Sequence, residues 1–222
     1  MSFTDFEFIQ KSIPLYTEAF FLTLKLGFWG VLLSFLVGVI CSLILYYKVR
    51  GFKRIVSIYI ELSRNTPLLI QLFFLYFGLP QLGIMMKSYV IAVIGLTFLG
   101  GSYMAESLRG GLESVSKSQI ESGLSIGLTK LQLTRYVIFP QALAVSIPSI
   151  GGNAIFLLKE TSVVSAVALS DLMFVAKDLI GLYYKTNEAL FMLVVAYLMM
   201  LLPLSLFITF LERRLRYAGF GR

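Results

Sequence analysis

A chain of 222 residues that is 58% hydrophobic and only 14% charged, with a mean hydropathy of +0.85, cannot present a solvated surface on all sides of a soluble domain. It is an integral membrane protein. A net charge of +7 would suggest nucleic acid in a soluble protein, but here the basic residues are distributed by membrane side, so no nucleic-acid partner is expected. The absence of histidine removes the commonest haem and metal ligand, no metal-ligand spacing is present, and the single cysteine, Cys41, leaves no disulfide framework.

Residues 1–18 are mixed and aromatic, with Phe3, Phe6 and Phe8 alternating with polar residues, and read either as an interfacial segment or as a disordered tail. They lack a basic n-region followed directly by an apolar core, so a cleavable signal peptide is not expected. The first span, 19–47, is about 29 residues long against the roughly 20 that a bilayer needs, and must tilt or protrude. Gly27, Gly30, Ser34 and Gly38 fall near one face of it, the small-residue pattern that lets another helix approach closely, within the subunit or from a second one. Lys25 reads as snorkelling to the outer interface.

Lys48, Arg50, Lys53 and Arg54 follow this span, and excess Lys/Arg marks the cytoplasmic side, which puts the N-terminus outside. Residues 55–63 read as a helix along the inner face. Pro67 suits the first turn of a second span, 66–79, that Gly78 to Pro80 would end. A third span, 89–108, returns to a cytoplasmic loop, 109–140, with Arg109, Lys117, Lys130 and Arg135. The apolar run 136–169 is broken by Pro140 and Pro148, which suggests a surface segment and then a fourth span, 148–169. After an outer segment, 171–188, the uncharged fifth span, 189–211, leads to Arg213, Arg214, Arg216 and Arg222 inside. The expectation is one all-α permease-like domain, 1–222, with about five transmembrane helices, N-out and C-in. Six basic residues, Lys11, Lys25, Lys87, Lys159, Lys177 and Lys185, fall off the cytoplasmic side, against 19 in all.

The loop has its own pattern. Ile120, Leu124 and Leu128 repeat at i, i+4, which predicts a short amphipathic helix; Gly127 supplies the left-handed residue that ends it, Thr129 caps the next helix, and Pro140 marks the return to the membrane. Such a projection suits docking to a soluble partner. Glu121, Gly127 and Pro140 keep the spacing of the Glu-Ala-Ala loop of type I ABC importers, with Ser122 and Gly123 in place of the two alanines and Val137 and Phe139 in place of isoleucine and leucine. Arg64-Asn65-Thr66-Pro67 resembles the Arg-Gly-Thr-Pro segment of the polar-amino-acid branch, and Tyr103 to Gly111 resembles the same branch.

The chain is thus similar to the transmembrane permease subunits of ABC importers for amino acids. The resemblance implies a multi-pass protein of the bacterial inner membrane, in contact with lipid and paired with an identical or related permease subunit. It implies cytoplasmic ATPase subunits that carry ATP and Mg, and an extracytoplasmic amino-acid-binding protein. It assigns ATPase coupling to Glu121, Leu124, Gly127, Leu128 and Pro140.

The chain itself has no catalytic grouping and no phosphate-cradling loop, so it is not expected to be an enzyme or to bind a cofactor. Glu106 and Arg109, at i, i+3, read as an anchoring pair rather than a gate. Arg64, placed at the cytoplasmic edge, could cap carbonyls, bind anionic lipid or serve a structural role. Gln71 is polar inside a span, where glutamine either ties helices together or meets a ligand. Lys159 and Glu160 are the sharper signal: counted from Pro148 they lie roughly 17 Å along a core about 30 Å thick. Glu160 shares a face with Asn153 and Phe156 that suits a substrate ammonium, and Lys159 shares one with Ser162 that suits a carboxylate. Pairing with other helices, or snorkelling of Lys159, is the alternative. The rival function is a self-sufficient oligomeric secondary transporter or channel, for which inverted repeats would be the sign, and a membrane scaffold is a third.

Overall fold

The computed structural model describes residues 5–219. Phe3 and Arg222, used above for the interface and the orientation, lie outside the described residues. Eight helices and no strand occur among the described residues: α1 (Phe6–Tyr46), α2 (Phe52–Arg64), α3 (Leu68–Gln81), α4 (Ser88–Ser114), α5 (Lys117–Ser125), α6 (Lys130–Glu160), α7 (Leu172–Tyr183) and α8 (Thr186–Gly219). A 3-10 segment, Thr161–Val167, extends α6. Four helical stretches are long and apolar enough to cross a membrane, Phe6–Tyr46, Ser88–Ser114, Lys130–Val167 and Thr186–Arg214, with Leu68–Gln81 a shorter apolar helix.

Every long helix rests directly or through one neighbour on α4. Apolar side chains gain little by leaving lipid for protein, so close van der Waals packing must hold the bundle. The small-residue face of α1 provides it inside the subunit: Gly30, Ser34 and Gly38 lie on α4, while Gly27 lies on Leu158 of α6. A Cβ on Gly38 would stand 2.9 Å from the backbone carbon of Met104, and one on Gly111 would stand 2.4 Å from the Ala142 carbonyl oxygen of α6. Neither α1 nor α6 could sit as close to α4 with a larger residue. Ser34 and Ser146 reinforce these contacts by donating to the carbonyls of Leu96 and Ser107.

Several boundaries differ from the sequence expectation. The first helix starts at Phe6, where the Asp5 carboxylate accepts from the Phe8 N–H, rather than at Ala19. Neither Pro80 nor Pro140 ends its helix. A π-turn, Phe74–Gly78 or Thr134–Ile138, precedes each proline by two residues and contains the carbonyl four residues before it. Proline clashes with that carbonyl and has no N–H for it, so widening the helix there removes the conflict. The fourth membrane helix is therefore continuous from Lys130 and does not begin at Pro148, which sits inside it. The second ends beyond Gly78, where Gly83 takes φ +81°.

The inner-face helix is corrected more substantially. Val56 and Ile60 of α2 pack with Cys41 and Ala105, and the Ser63 hydroxyl donates to the Phe98 carbonyl and to Ser102 of α4. Farther on, Leu72 packs against Gly95. Helices α2 and α3 thus run as one broken path alongside α4. Alone, α3 spans about 21 Å at 1.5 Å per residue, which is less than the hydrocarbon thickness.

Between the two last spans, α7 packs Leu172, Val175, Ala176 and Leu179 against Tyr16 and Ala19 of α1 and Ala189 of α8. The Tyr16 hydroxyl donates to the Ala189 carbonyl at 2.6 Å, Thr23 accepts from the Leu172 N–H, and Lys185 donates to Asp5, which holds the Asp5 carboxyl below its usual range. Asp171 caps α7 by accepting from the Phe174 N–H but is fully buried, and burial pushes its carboxyl from the ordinary 3.8 up to about 6. Because the raised folded-state value favours the protonated form, this group costs stability as pH rises from 3.8 through about 6. Asp171→Asn keeps a capping oxygen without the charge. Its melting temperature in detergent should exceed that of the wild type near neutral pH, and the gain should shrink as the pH falls through that window.

Candidate functional site

The loop after α4 is built by its capping residues. Ser116 accepts from the Gln119 N–H to start α5. At its end Gly127 takes φ +85°, the Leu128 N–H donates to the Gly123 carbonyl and the Gly127 N–H donates to the Leu124 carbonyl. This pair of bonds is the Schellman closure that a left-handed glycine permits. Thr129 and Gln132 then form a capping box that opens α6. The elbow is fixed to the bundle by Leu112, Val115, Leu133, Ile138 and Ala142, with Leu128 packed onto them. Buried Gly123 leaves room for Leu133, whose Cδ1 would stand 2.5 Å from an added Cβ.

On the outside of this elbow, Glu121 is exposed and Leu124 is 49% exposed. The structure adds Ile126 and Leu131, 79% and 78% exposed, beside the turn; neither fell in the Ile120–Leu124–Leu128 stripe. Of that stripe, Leu128 turns inward because α5 has already ended at Ser125. Pro140 sits where α6 leaves its π-turn, exposed and distant in sequence from the turn at Gly127.

The second group of residues lies halfway along α4. Leu157 abuts Gly100, next to the midpoint of Ser88–Ser114, and Glu160 follows it by one turn at the end of the α-helical part of α6. Asn153 donates to the Ser107 hydroxyl at 2.8 Å, tying α6 to α4, and Phe156 contacts Tyr103 with ring centroids 5.3 Å apart. Glu160 is half-buried, Lys159 is exposed and Ser162 is half-buried. Neither Glu160 nor Lys159 forms an ion pair or side-chain hydrogen bond among the described residues.

Arg64 is not at an edge. Its neighbour Ser63 is bonded to Phe98 and Ser102, so Arg64 also lies beside the middle of α4, with its guanidinium 5.2 Å from the Tyr103 ring centre and 3.7 Å from Glu106. Glu106 is engaged by Arg109, which donates to both its oxygens at 3.2 and 2.9 Å and to Glu113 at 2.9 Å. Gln71 donates to the carbonyls of Ser63 and Thr66 at the break between α2 and α3, and the Asn65 side chain donates to the Glu61 carbonyl, which also accepts from the Asn65 N–H. Its donors spent in this way, Gln71 acts as a tie across the break, with Oε1 buried and unbonded. Lys25 lies 5.4 Å from the ring of Tyr89, in the first turn of α4.

The model of the family described as binding-protein-dependent transport system inner membrane component matches residues 9–217. The chain belongs to this family. It is a multi-pass component of the inner membrane, in a family of transport subunits that work with ATPase and binding-protein partners. It is 36% identical over 172 residues to a probable amino-acid ABC transporter permease protein, PatM, of Vibrio harveyi, covering 76% of this chain and 77% of that one. The probable glutamine ABC transporter permease protein GlnP of Bacillus subtilis is 34% identical, with 78% and 79% covered. Among solved structures, a crystal structure of an amino acid ABC transporter with histidines superposes with a TM-score of 0.87 at 34% identity, over 95% of this chain and 99% of that one. The MetNI methionine ABC transporter, at 20% identity and a TM-score of 0.72, shares the fold.

Gly127 provides a direct test of the elbow. A Cβ there meets nothing within 4 Å, so a substitution acts through the backbone alone. Gly127→Val should cost about 1–2 kcal/mol locally by forcing a β-branched residue to positive φ. Transport and co-purification of the ATPase should fall while the amount of protein in the membrane is retained. Normal co-purification would remove the docking role.

Proposed function

We propose that this chain is the permease subunit of an ATP-driven importer for polar amino acids, with five crossings, N-out and C-in. It works as a pair with an identical or related subunit. ATP and Mg are held by two cytoplasmic ATPase subunits that dock at Glu121, Leu124, the Gly127 turn and the exposed Pro140, while Leu128 fixes the elbow to the bundle. An extracytoplasmic amino-acid-binding protein delivers the substrate. The names of the relatives, which include glutamine and arginine permeases, support the substrate class.

The observation that carries the reading within the membrane is Glu160, half-buried one turn beyond the Leu157–Gly100 contact on the face shared with Asn153 and Phe156. An ionisable residue within a span is costly and marks a path or a partner. Glu160 suits a cationic or amide group, the exposed Lys159 with Ser162 borders the path, and Asn153 and Gln71 hold its walls. The lever is mechanical: α5, fixed at both ends to α4 and α6, transmits movement of the ATPases to the helices that carry these residues.

Uptake into proteoliposomes should require the ATPase, ATP and the binding protein together; uptake without them would favour a self-sufficient transporter. Glu160→Gln should raise the half-saturating substrate concentration on the order of 10-fold or more, as expected for losing a hydrogen bond to a charged group worth about 1.5–3 kcal/mol. Unchanged apparent affinity for every amino acid tested would reject Glu160 as part of the path.

A further inference from the structure

A groove of about 830 Å³ opens between α1, α6 and α8, lined by Phe28, Leu32 and Phe35 of α1, Ala154 and Leu158 of α6 and Met200 of α8. Gly27 forms part of its floor, because the side chain it lacks leaves Leu158 against the α1 backbone. The face of α6 that looks into it, through Ala154 and Leu158, is not the face that carries Asn153, Phe156 and Glu160. Lys25 is the one charged side chain among the described residues that line the groove. From Lys25 to Phe35 is about 15 Å along α1, and from Lys25 to Tyr46, where α1 ends just before the basic cluster, is about 31 Å. These are the thickness of one leaflet and of the whole hydrocarbon core, about 30 Å. Lys25 is exposed, and its ammonium lies 5.4 Å from the Tyr89 ring centre, a contact that orients the stem and leaves its N–H donors unspent. Residues 18, 21, 25, 28, 32 and 35 recur at helical spacing, so the exposed Glu18 continues the same stripe about 10 Å beyond Lys25. Neither charged side chain forms an ion pair or side-chain hydrogen bond among the described residues.

We propose that this groove is a binding site for one phospholipid with a primary-ammonium headgroup, of the phosphatidylethanolamine type. An acyl chain lies along Phe28, Leu32 and Phe35, Lys25 meets the phosphate, and Glu18 meets the ammonium. The headgroup carries its charges in that order, phosphate next to the chains and ammonium beyond it, which is the order of Lys25 and Glu18 along the stripe. The Lys25 stem leads back toward the start of α1 and so shortens the gap between the two charges. An anionic headgroup without the ammonium would satisfy Lys25 alone and set its negative charge beside Glu18. The orientation proposed above puts the site in the outer leaflet, and the site itself does not depend on the import reading.

Trp29 is the one tryptophan of the chain, and its ring centre lies 5.4 Å from that of Phe28 in the groove, so its fluorescence reports which lipid is bound. The test is quenching of Trp29 by lipids brominated along their acyl chains, in the purified permease–ATPase complex reconstituted into vesicles, with the signal of the Trp29→Phe variant subtracted. The vesicles hold phosphatidylethanolamine in equal parts with phosphatidylglycerol, or with an uncharged glycosyldiacylglycerol, and either member of the pair is brominated in turn. The wild type should select phosphatidylethanolamine by about threefold or more over each competitor. Glu18→Gln should lose the preference over phosphatidylglycerol, and Lys25→Gln the preference over the uncharged lipid. Ala154→Phe, which fills the groove, should lose both; if it fails to reach the membrane, the two variants of exposed residues decide the matter. Equal quenching by all three lipids in the wild type would mean ordinary contact with the bilayer only and would overturn the site. Preferences unchanged in both charge variants would overturn it as well. So would the absence of quenching by any brominated lipid, which would mean that protein, such as a second copy of this chain, covers the groove.

Discussion

The closeness with which α1 and α6 lie on α4 determines the geometry of the rest. Van der Waals attraction falls away within a fraction of an ångström of extra separation, and in lipid no large hydrophobic gain replaces it. Gly38 on Met104 and Gly111 on Ala142 are therefore structural conditions for the arrangement of side chains between α4 and α6. Set farther apart, α4 and α6 would lose the Asn153–Ser107 bond and the Tyr103–Phe156 contact together. The residues proposed to face substrate depend on residues that never touch it.

The two π-turns show how polar backbone is managed within the same bundle. Proline at 80 and 140 would break an ideal helix, and a break within hydrocarbon would expose carbonyls that lipid cannot satisfy. Widening one turn before each proline keeps the path continuous. At the α2–α3 junction the chain does break, and there the carbonyls of Glu61, Ser63 and Thr66 are met by side-chain amides. Irregular backbone is tolerated where protein groups satisfy it, and that is where Arg64 is placed.

Local chemistry was legible in the sequence wherever one residue type sufficed to decide it. Gly127 as a left-handed terminator, Thr129 as a cap, and the small-residue face of α1 could all be read directly. Legibility ended where tertiary context overrides local preference. Pro148 was read as a start although it is interior, because a proline kink tolerated within a packed helix resembles a boundary in one dimension. The position of α2 was hidden for a similar reason: its charged start matches an interfacial helix, while the Ser63–Ser102 bond that draws its end toward the middle of α4 joins residues distant in sequence. Arg64 was consequently assigned to an edge. Ile126 and Leu131 escaped because the exposed ridge is formed across the turn rather than along one helix.

The central claim is that the face of α6 that carries Asn153, Phe156 and Glu160 borders a solvent-accessible path while the outer faces of α1 and α8 meet lipid. It can be measured by the reactivity of introduced cysteines toward a charged, membrane-impermeant thiol reagent, in a Cys41→Ser background that removes the single native thiol. Phe156→Cys should react, more slowly when a transported amino acid is present, and Phe207→Cys, on the exposed face of α8, should stay unreactive in the bilayer. Silence at 156 in every nucleotide state, together with ready reaction at 207, would place the path elsewhere and contradict the arrangement described.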